Sequence, residues 1–312
     1  MGMRLSVMVL AVLAQLAACA CAEEPAGAAI PQPKPKAASV SFTDVGLVEF
    51  EAPPDAWVIR YTLDGKAPTA TSYACCTPIR VASSLTLKAA CFGPDGKSSA
   101  PVAVECVRKP AEQKDAKPKA AINVDFSATP DLTEWALRAQ KDAEEQYPIM
   151  AEKLGSEGFS PPRQIMLVFK DDPKLQIAAT GGTTIVFARS WIKAHPTDTG
   201  TVIHELAHVI QSYKRKVPGW LTEGIADYIR WWTWEPPERR GRINPARAKY
   251  TNGYQDAAAF LYWAEKQYDK DLVRKLNDQA RRGTYKDELF KEYTGKELDA
   301  LWKEFVESLG KK

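Results

Sequence analysis

Between Lys109 and Ala120 the chain reads Lys-Pro-Ala-Glu-Gln-Lys-Asp-Ala-Lys-Pro-Lys-Ala, twelve residues that offer nothing larger than proline to a core. Such a stretch cannot bury enough apolar surface to order itself and behaves as an extended linker. The hydrophobic period changes across it. Upstream, short runs alternate apolar and polar side chains: Leu47 to Phe50, Trp57 to Tyr61, Ser84 to Ala90 and Val102 to Val107. Turn signals such as Asp64-Gly65 and Gly93-Pro94-Asp95-Gly96 separate them. Downstream, from Ile122, apolar residues recur every three or four positions. The pattern predicts a small all-β sandwich over 39–108, a linker over 109–121, and an α+β domain over 122–312. The length of 312 residues suits two domains.

The one long apolar stretch runs from Leu5 to Ala18 behind a single arginine, Arg4. It is shorter than the roughly 20 residues needed to span a bilayer and reads as an export signal over 1–18. Its end, Leu16-Ala17-Ala18-Cys19, resembles the bacterial lipobox, in which the cysteine is acylated; Ala20 after it points to the outer membrane. The competing cut follows Ala20-Cys21-Ala22 and releases a soluble protein. Both readings put the mature chain outside the cytoplasm, as an outer-membrane or cell-surface lipoprotein or as a secreted protein. The only membrane attachment expected is the lipid at Cys19. Residues 19–38, with Pro25, Pro31, Pro33 and Pro35, form a tether. The 42 basic and 39 acidic residues leave a net charge of +3 and no field that would attract nucleic acid.

Cys75, Cys76, Cys91 and Cys106 are clustered in the predicted sandwich. In an exported protein they predict one or two disulfides, of which three full connectivities are open. A four-cysteine zinc knot is the weaker alternative, since no C-x2-C pair is present. The segment Ile59-Arg60-Tyr61-Thr62-Leu63-Asp64-Gly65, with Pro68-Thr69, Pro78-Ile79 and Leu85 to Ala89, resembles the fibronectin-like domain at the C-terminus of chitobiases and hexosaminidases. The resemblance implies a non-catalytic appendage, a spacer or a module with weak glycan contact.

In the second half, helices are predicted over 131–154, 197–213, 222–234, 254–268, 271–281 and 297–309. Thr129 or Asp131 stands near the first cap. Strands are predicted over 164–169 and 183–187. The helix over 197–213 carries His204-Glu205-Leu206-Ala207-His208. Four residues advance a helix by about one turn, so both imidazoles leave one face and can share one ion, for which zinc is the natural choice. Only three histidines are present, and chance places two of them in this motif on the order of one time in a thousand. Glu205 lies on the adjacent face, suited to take a proton from a water rather than to ligate.

Fourteen residues separate His208 from Glu223, in Gly219-Trp220-Leu221-Thr222-Glu223-Gly224-Ile225-Ala226-Asp227. A catalytic zinc wants three protein ligands and an open position, and a carboxylate on the next helix supplies the third. We assign it to Glu223, against a first-turn glutamate serving only the helix dipole. Asp227, one turn on, can orient a ligating imidazole; its alternative is an exposed helix aspartate.

The pair "HELAH" and "WLTEGIAD" looks like the gluzincin class of zinc peptidases. Together "HELAHVIQSY", "PGWLTEGIADYIRWW" and "GYQDAAAFLYWAEKQY" resemble the basic secretory protein family of plant and bacterial peptidases. The resemblance implies a secreted zinc peptidase acting on peptides or proteins. In it Glu205 is the general base. A donor for the oxyanion is sought among His195, Tyr228 and Tyr254. Tyr254 is preferred, with a packed core tyrosine as its alternative. The strand over 183–187 is either an edge along which an extended peptide pairs or an ordinary interior strand. Trp231, Trp232 and Trp234 are read as core, with a cleft lining for aromatic or sugar groups as the alternative. Two other functions remain open: a catalytically silent zinc protein that recognises wall or glycan polymers, and a zinc amidase acting on peptidoglycan or glycoprotein.

Overall fold

The computed structural model describes residues 30–110 and 117–310. The export signal, Cys19, much of the tether and half of the linker lie outside the described residues. Among the described residues no helix is long and apolar enough to cross a membrane.

Seven strands form the N-terminal part: β1 (Ser39–Phe42), β2 (Gly46–Val48), β3 (Val58–Thr62), β4 (Tyr73–Ala74), β5 (Ile79–Val81), β6 (Leu85–Phe92) and β7 (Val102–Arg108). One sheet has the order β1-β7-β6-β3-β4, and β2 and β5 form a two-stranded antiparallel ribbon. Alternation buries one face: Ile59 and Tyr61 of β3, Leu87 of β6 and Val104 of β7 point inward against Val48, Ile79 and Val81 of the ribbon.

The four cysteines are free thiols, which corrects the expected disulfides. The Cys76 thiol turns to Asp125 Oδ1 at 3.9 Å, and the register keeps the other three apart. Cys91 stands opposite Ile59, and the Cys75 amide donates to the Ile59 carbonyl, so β3 lies between the two cysteines. Two strand spacings separate them by about 10 Å, beyond the roughly 7 Å that a bridge tolerates. Cys106 faces Leu85, six positions along β6 from Cys91 and about 20 Å away. Burial pushes the Cys75 thiol up to about 12.

The chain divides into two compact units. The first holds the described residues up to Gln140 with Arg163–Ile177 and Val186–Ala194; the second holds Lys141–Pro162, Ala178–Ile185 and everything from His195 onward. In the first unit β8 (Ala121–Asp125) and β9 (Gln164–Lys170) pair in parallel. Met166 and Val168 of β9 belong to the same apolar cluster as the sandwich core. Side-chain amides complete the contact. Asn123 accepts from the Arg80 amide at 2.8 Å and donates to the Arg80 carbonyl at 2.9 Å. Gln164 treats Ala82 and Arg80 alike at 3.2 and 2.9 Å, so both amides stand in for a missing neighbour of β5. The opposite face of β9 stacks Phe169 on Phe187, with Trp135 edge-on to both.

Helix α1 (Thr133–Lys153) follows a single turn of 3-10 helix at Pro130–Leu132. Asp131 does not cap it but pairs with Arg189 and Lys193, which hold its carboxyl down to about 2. Strand β10 (Ala178–Gly181) precedes β11 (Thr184–Ala188), and the strand order is β10-β11-β9-β8. β11 therefore has neighbours on both sides. The edge strand near the site is β10, and residues 183–187 take the interior-strand reading of the two. Further helices are α2 (Arg189–Ala194), α3 (Gly200–Gln211), α4 (Gly219–Ile229), α5 (Tyr254–Gln267), α6 (Leu272–Arg282), α7 (Leu289–Thr294) and α8 (Leu298–Leu309). In the second unit Phe260 of α5 packs on Phe290, Trp302 and Phe305 of the last two helices.

Candidate metal centre

Helix α3 is buried along almost its whole length, His208 being the partly open position. It ends where Ser212 turns left-handed (φ 48°) and its amide returns to the His208 carbonyl. A helix enclosed on all sides has little room to rotate, so the direction of its two imidazoles is set by packing. His204 and His208 stand with ring centroids 4.9 Å apart, nearly perpendicular, and their Nε2 atoms 3.2 Å apart.

The opposite nitrogens are both occupied. His204 Nδ1 donates to Asp227 Oδ1 at 2.7 Å, and His208 Nδ1 donates to Gln211 Oε1 at 2.8 Å. Each imidazole thereby turns an Nε2 lone pair toward one point. Glu223 Oε2 completes that point, 3.1 Å from His204 Nε2 and 3.5 Å from His208 Nε2. Ligands on a tetrahedral zinc with bonds near 2.0–2.1 Å lie about 3.3–3.4 Å from one another. The observed separations of 3.1, 3.2 and 3.5 Å fit that figure. Among the described residues this is the one group of three His, Cys, Asp or Glu side chains able to hold an ion.

Three lone-pair atoms this close call for positive charge, and the titration of His204 and Glu223 reflects it. Burial alone would lower the His204 pKa, but its bonds to Asp227 and Glu223 outweigh that and raise it to about 9. Burial would raise the Glu223 pKa, yet hydrogen bonds from His204 and His208 bring it down to about 2.

Glu223 reaches the histidines because α4 begins directly after Pro218, its N-cap (φ −53°, ψ 130°), and because Gln211 Nε2 donates to the Thr222 carbonyl at 2.9 Å. Gly224 lets α5 come close: a Cβ there would lie 2.7 Å from Ala257 Cβ. Asp227 is 5% exposed, so it is not a solvent-facing aspartate. Glu205 is buried beside the trio but outside it, and Thr180 Oγ1 of β10 lies 2.6 Å from its Oε2.

Among the oxyanion candidates, Tyr254 stands over the site. Its ring stacks on His204 with centroids 6.1 Å apart, it is 56% exposed, and its φ is 45°. It is therefore not a packed core tyrosine. The Glu223 charge first, and then burial, raise its hydroxyl pKa. Tyr228 drops out: it is buried and its hydroxyl donates to Glu265 Oε2 at 2.6 Å, leaving none for a substrate. His195 is exposed in the turn ahead of α3. Trp231, Trp232 and Trp234 are half-buried in a π-helical turn at Arg230–Trp234 rather than in the core. Arg230 and Arg240 lie over the first two rings. Two residues escaped the sequence reading. Gln211 carried a signal, being three residues past His208 on the same face; Thr180 carried none.

The model of a family described as peptidase of plants and bacteria matches residues 135–305. That of the chitobiase/beta-hexosaminidase C-terminal domain matches residues 37–103. No curated protein matches the chain.

Proposed function

Given that the chain belongs to the family of peptidases of plants and bacteria, we propose that it is an exported, zinc-dependent peptidase with Glu205 as its general base. The observation that carries this reading is the convergence of His204 Nε2, His208 Nε2 and Glu223 Oε2 within 4.8 Å, each imidazole oriented from behind. Two nitrogens and one carboxylate oxygen, with His208 and Glu223 only partly buried, suit catalytic zinc.

His204, His208 and Glu223 would hold the ion. Zinc bound there supplies Lewis acidity, polarising a peptide carbonyl and acidifying a water. Glu205, in the motif but outside the ligand set, accepts the proton of the attacking water and returns it to the leaving amine. Asp227 fixes the His204 tautomer, and Gln211 that of His208. Tyr254, exposed and stacked on His204, is placed to donate its hydroxyl proton in a hydrogen bond to the developing oxyanion. The substrate is a peptide or protein. The chitobiase-type domain supports weak carbohydrate contact beside it. The sequence from Arg4 to Ala22 supports export, with a lipid at Cys19 or with release as a secreted protein.

Metal analysis of the purified chain and casein cleavage by wild type and Glu205→Gln test the reading. We expect one zinc in both proteins and cleavage in wild type alone. Equal failure of both to cleave peptides would sink the peptidase and favour a silent zinc protein. Release of sugar-linked fragments with plain peptides left intact would favour an amidase.

A further inference from the structure

The bond between Thr180 and Glu205 joins the open sheet edge to the group assigned as base. Strand β10 is four residues long, and its burial alternates: Ala178 and Thr180 are half-covered, Ala179 and Gly181 exposed. The two-residue period of a strand thus turns the Thr180 side chain toward α3 and its neighbours away. Thr180 Oγ1 lies 2.6 Å from Glu205 Oε2 and 3.2 Å from the Glu205 carbonyl oxygen. A hydroxyl has one proton to donate. The carboxylate is the shorter and charged acceptor, and the carbonyl is served within the helix by the amide four residues on.

We infer that Thr180 is a positioning residue for Glu205: its hydroxyl pins Oε2, so that Oε1 is the oxygen that takes the proton of the attacking water. A glutamate has three rotatable side-chain bonds, and a base must sit within hydrogen-bond reach of its water. The helix fixes only the Cα of Glu205, and Asp227 and Gln211 act on the histidines. Among the described residues, Thr180 is the group that hydrogen-bonds to the base from another element. Its β-branched side chain is itself confined by the strand, so the hydroxyl sits at a defined place. The inference rests on Glu205 being the base of a peptidase.

The test uses the full zinc-loaded chain and compares Thr180→Val, which keeps the shape and deletes the hydroxyl, with Thr180→Ser, which keeps the hydroxyl. A hydrogen bond to a charged group is strong enough that its loss should lower kcat about ten- to a hundred-fold. We expect that loss in the valine variant with KM within about twofold of wild type, and recovery to within about threefold in the serine variant. Zinc stoichiometry and Tm should match wild type in both. A second readout does not need turnover: binding of a peptide hydroxamate, measured by calorimetry. Thr180→Val should weaken it about tenfold in wild type and leave it unchanged in a Glu205→Gln background, since the hydroxyl acts only through that carboxylate. Unchanged kcat in the valine variant, equal losses in the valine and serine variants, or an effect that persists without the Glu205 carboxylate would each overturn the inference. Should Thr180→Val lose zinc or stability, Thr180→Ala takes its place in the same comparison, and loss there too would make Thr180 structural. A wild type that cleaves no peptide yet shows the hydroxamate coupling would instead refute the peptidase and leave the positioning contact standing.

Discussion

Gly224→Ala is the smallest change that should disturb the metal centre without touching a ligand. The new Cβ would lie 2.7 Å from Ala257 Cβ and 3.4 Å from Leu261 Cδ1. Two carbons pack at about 3.5–4.0 Å, so roughly 1 Å must be found. An alanine Cβ has no rotamer to escape by, and the backbones of α4 and α5 have to part. Overpacking of this kind costs about 1–3 kcal/mol. Alanine in place of glycine in a helix interior returns about 0.8–1 kcal/mol. The net is a loss of about 1 kcal/mol, or some 2–4 °C in Tm for a domain of this size. The effect on zinc should be the larger one. Helix α5 opens with Gly253, where a Cβ would stand 3.6 Å from Glu223 Cβ, so parting the helices shifts the third ligand. Ligand distances tolerate only about 0.2 Å, and we expect zinc affinity to fall about tenfold, read by competition with a chromogenic chelator. The double variant Gly224→Ala with Ala257→Gly gives the methyl its room and should recover most of that affinity. A single variant with unchanged Tm and unchanged zinc affinity, or a double variant with no recovery, would refute the steric argument.

Glu223→Ala should lose stoichiometric zinc, and Asp227→Asn should keep it with about 10–100-fold lower affinity, both read by metal analysis after dialysis; full occupancy in Glu223→Ala would remove the third ligand. In the metal-free chain His204, raised from 6.5 to about 9, contributes stability that is complete below pH 6.5 and lost as pH rises through 9. Glu223, lowered from 4.5 to about 2, contributes stability that is complete above pH 4.5 and lost as pH falls through 2. The Tm gap between zinc-loaded and chelated protein should therefore widen from pH 6.5 to 9, and a constant gap would contradict this. Deleting residues 37–108 uncovers Met166 and Val168, now 5% and 8% exposed, and leaves the amides of Asn123 and Gln164 without partners. The truncated chain should show a smaller soluble fraction and a lower Tm than the full chain, and equal values would mean the sandwich is only a spacer.

How far the sequence spoke depended on whether the determining contact was local. His204 and His208 are one helical turn apart, and so are Glu223 and Asp227, so each pair could be placed on a face from its spacing. The strands with clean alternation, β3 and β7, were legible for the same reason. β4 and β5 were not: two or three residues are too few to establish a period, and β5 is completed by amides from positions 123 and 164. The cysteines show the limit plainly. Their number and compartment favoured bridges, but the register that puts Ile59 between Cys75 and Cys91 is a property of the sheet. Sheet order likewise decides that β10 and not β11 has the open edge. Thr180 sits on that edge in a run of alanines and glycine, where no local pattern could connect it with a glutamate 25 residues on.

The two ligand helices are tied to each other at both ends of the site, and in opposite directions. From α3, Gln211 accepts from one ligand, His208, and donates to the carbonyl of Thr222, the residue before the third ligand. From α4, Asp227 reaches back to the other imidazole, His204. A relative slide of α3 and α4 would break both bonds at once, and each would leave a buried polar group without a partner, at about 1–3 kcal/mol apiece. The spacing of the three donor atoms is thus held by bonds that need no ion. In small zinc domains the free energy of metal binding is largely the free energy of folding. Here the surrounding helices have already ordered the donors, so the ion's contribution goes into affinity and chemistry, and apo protein should retain its fold.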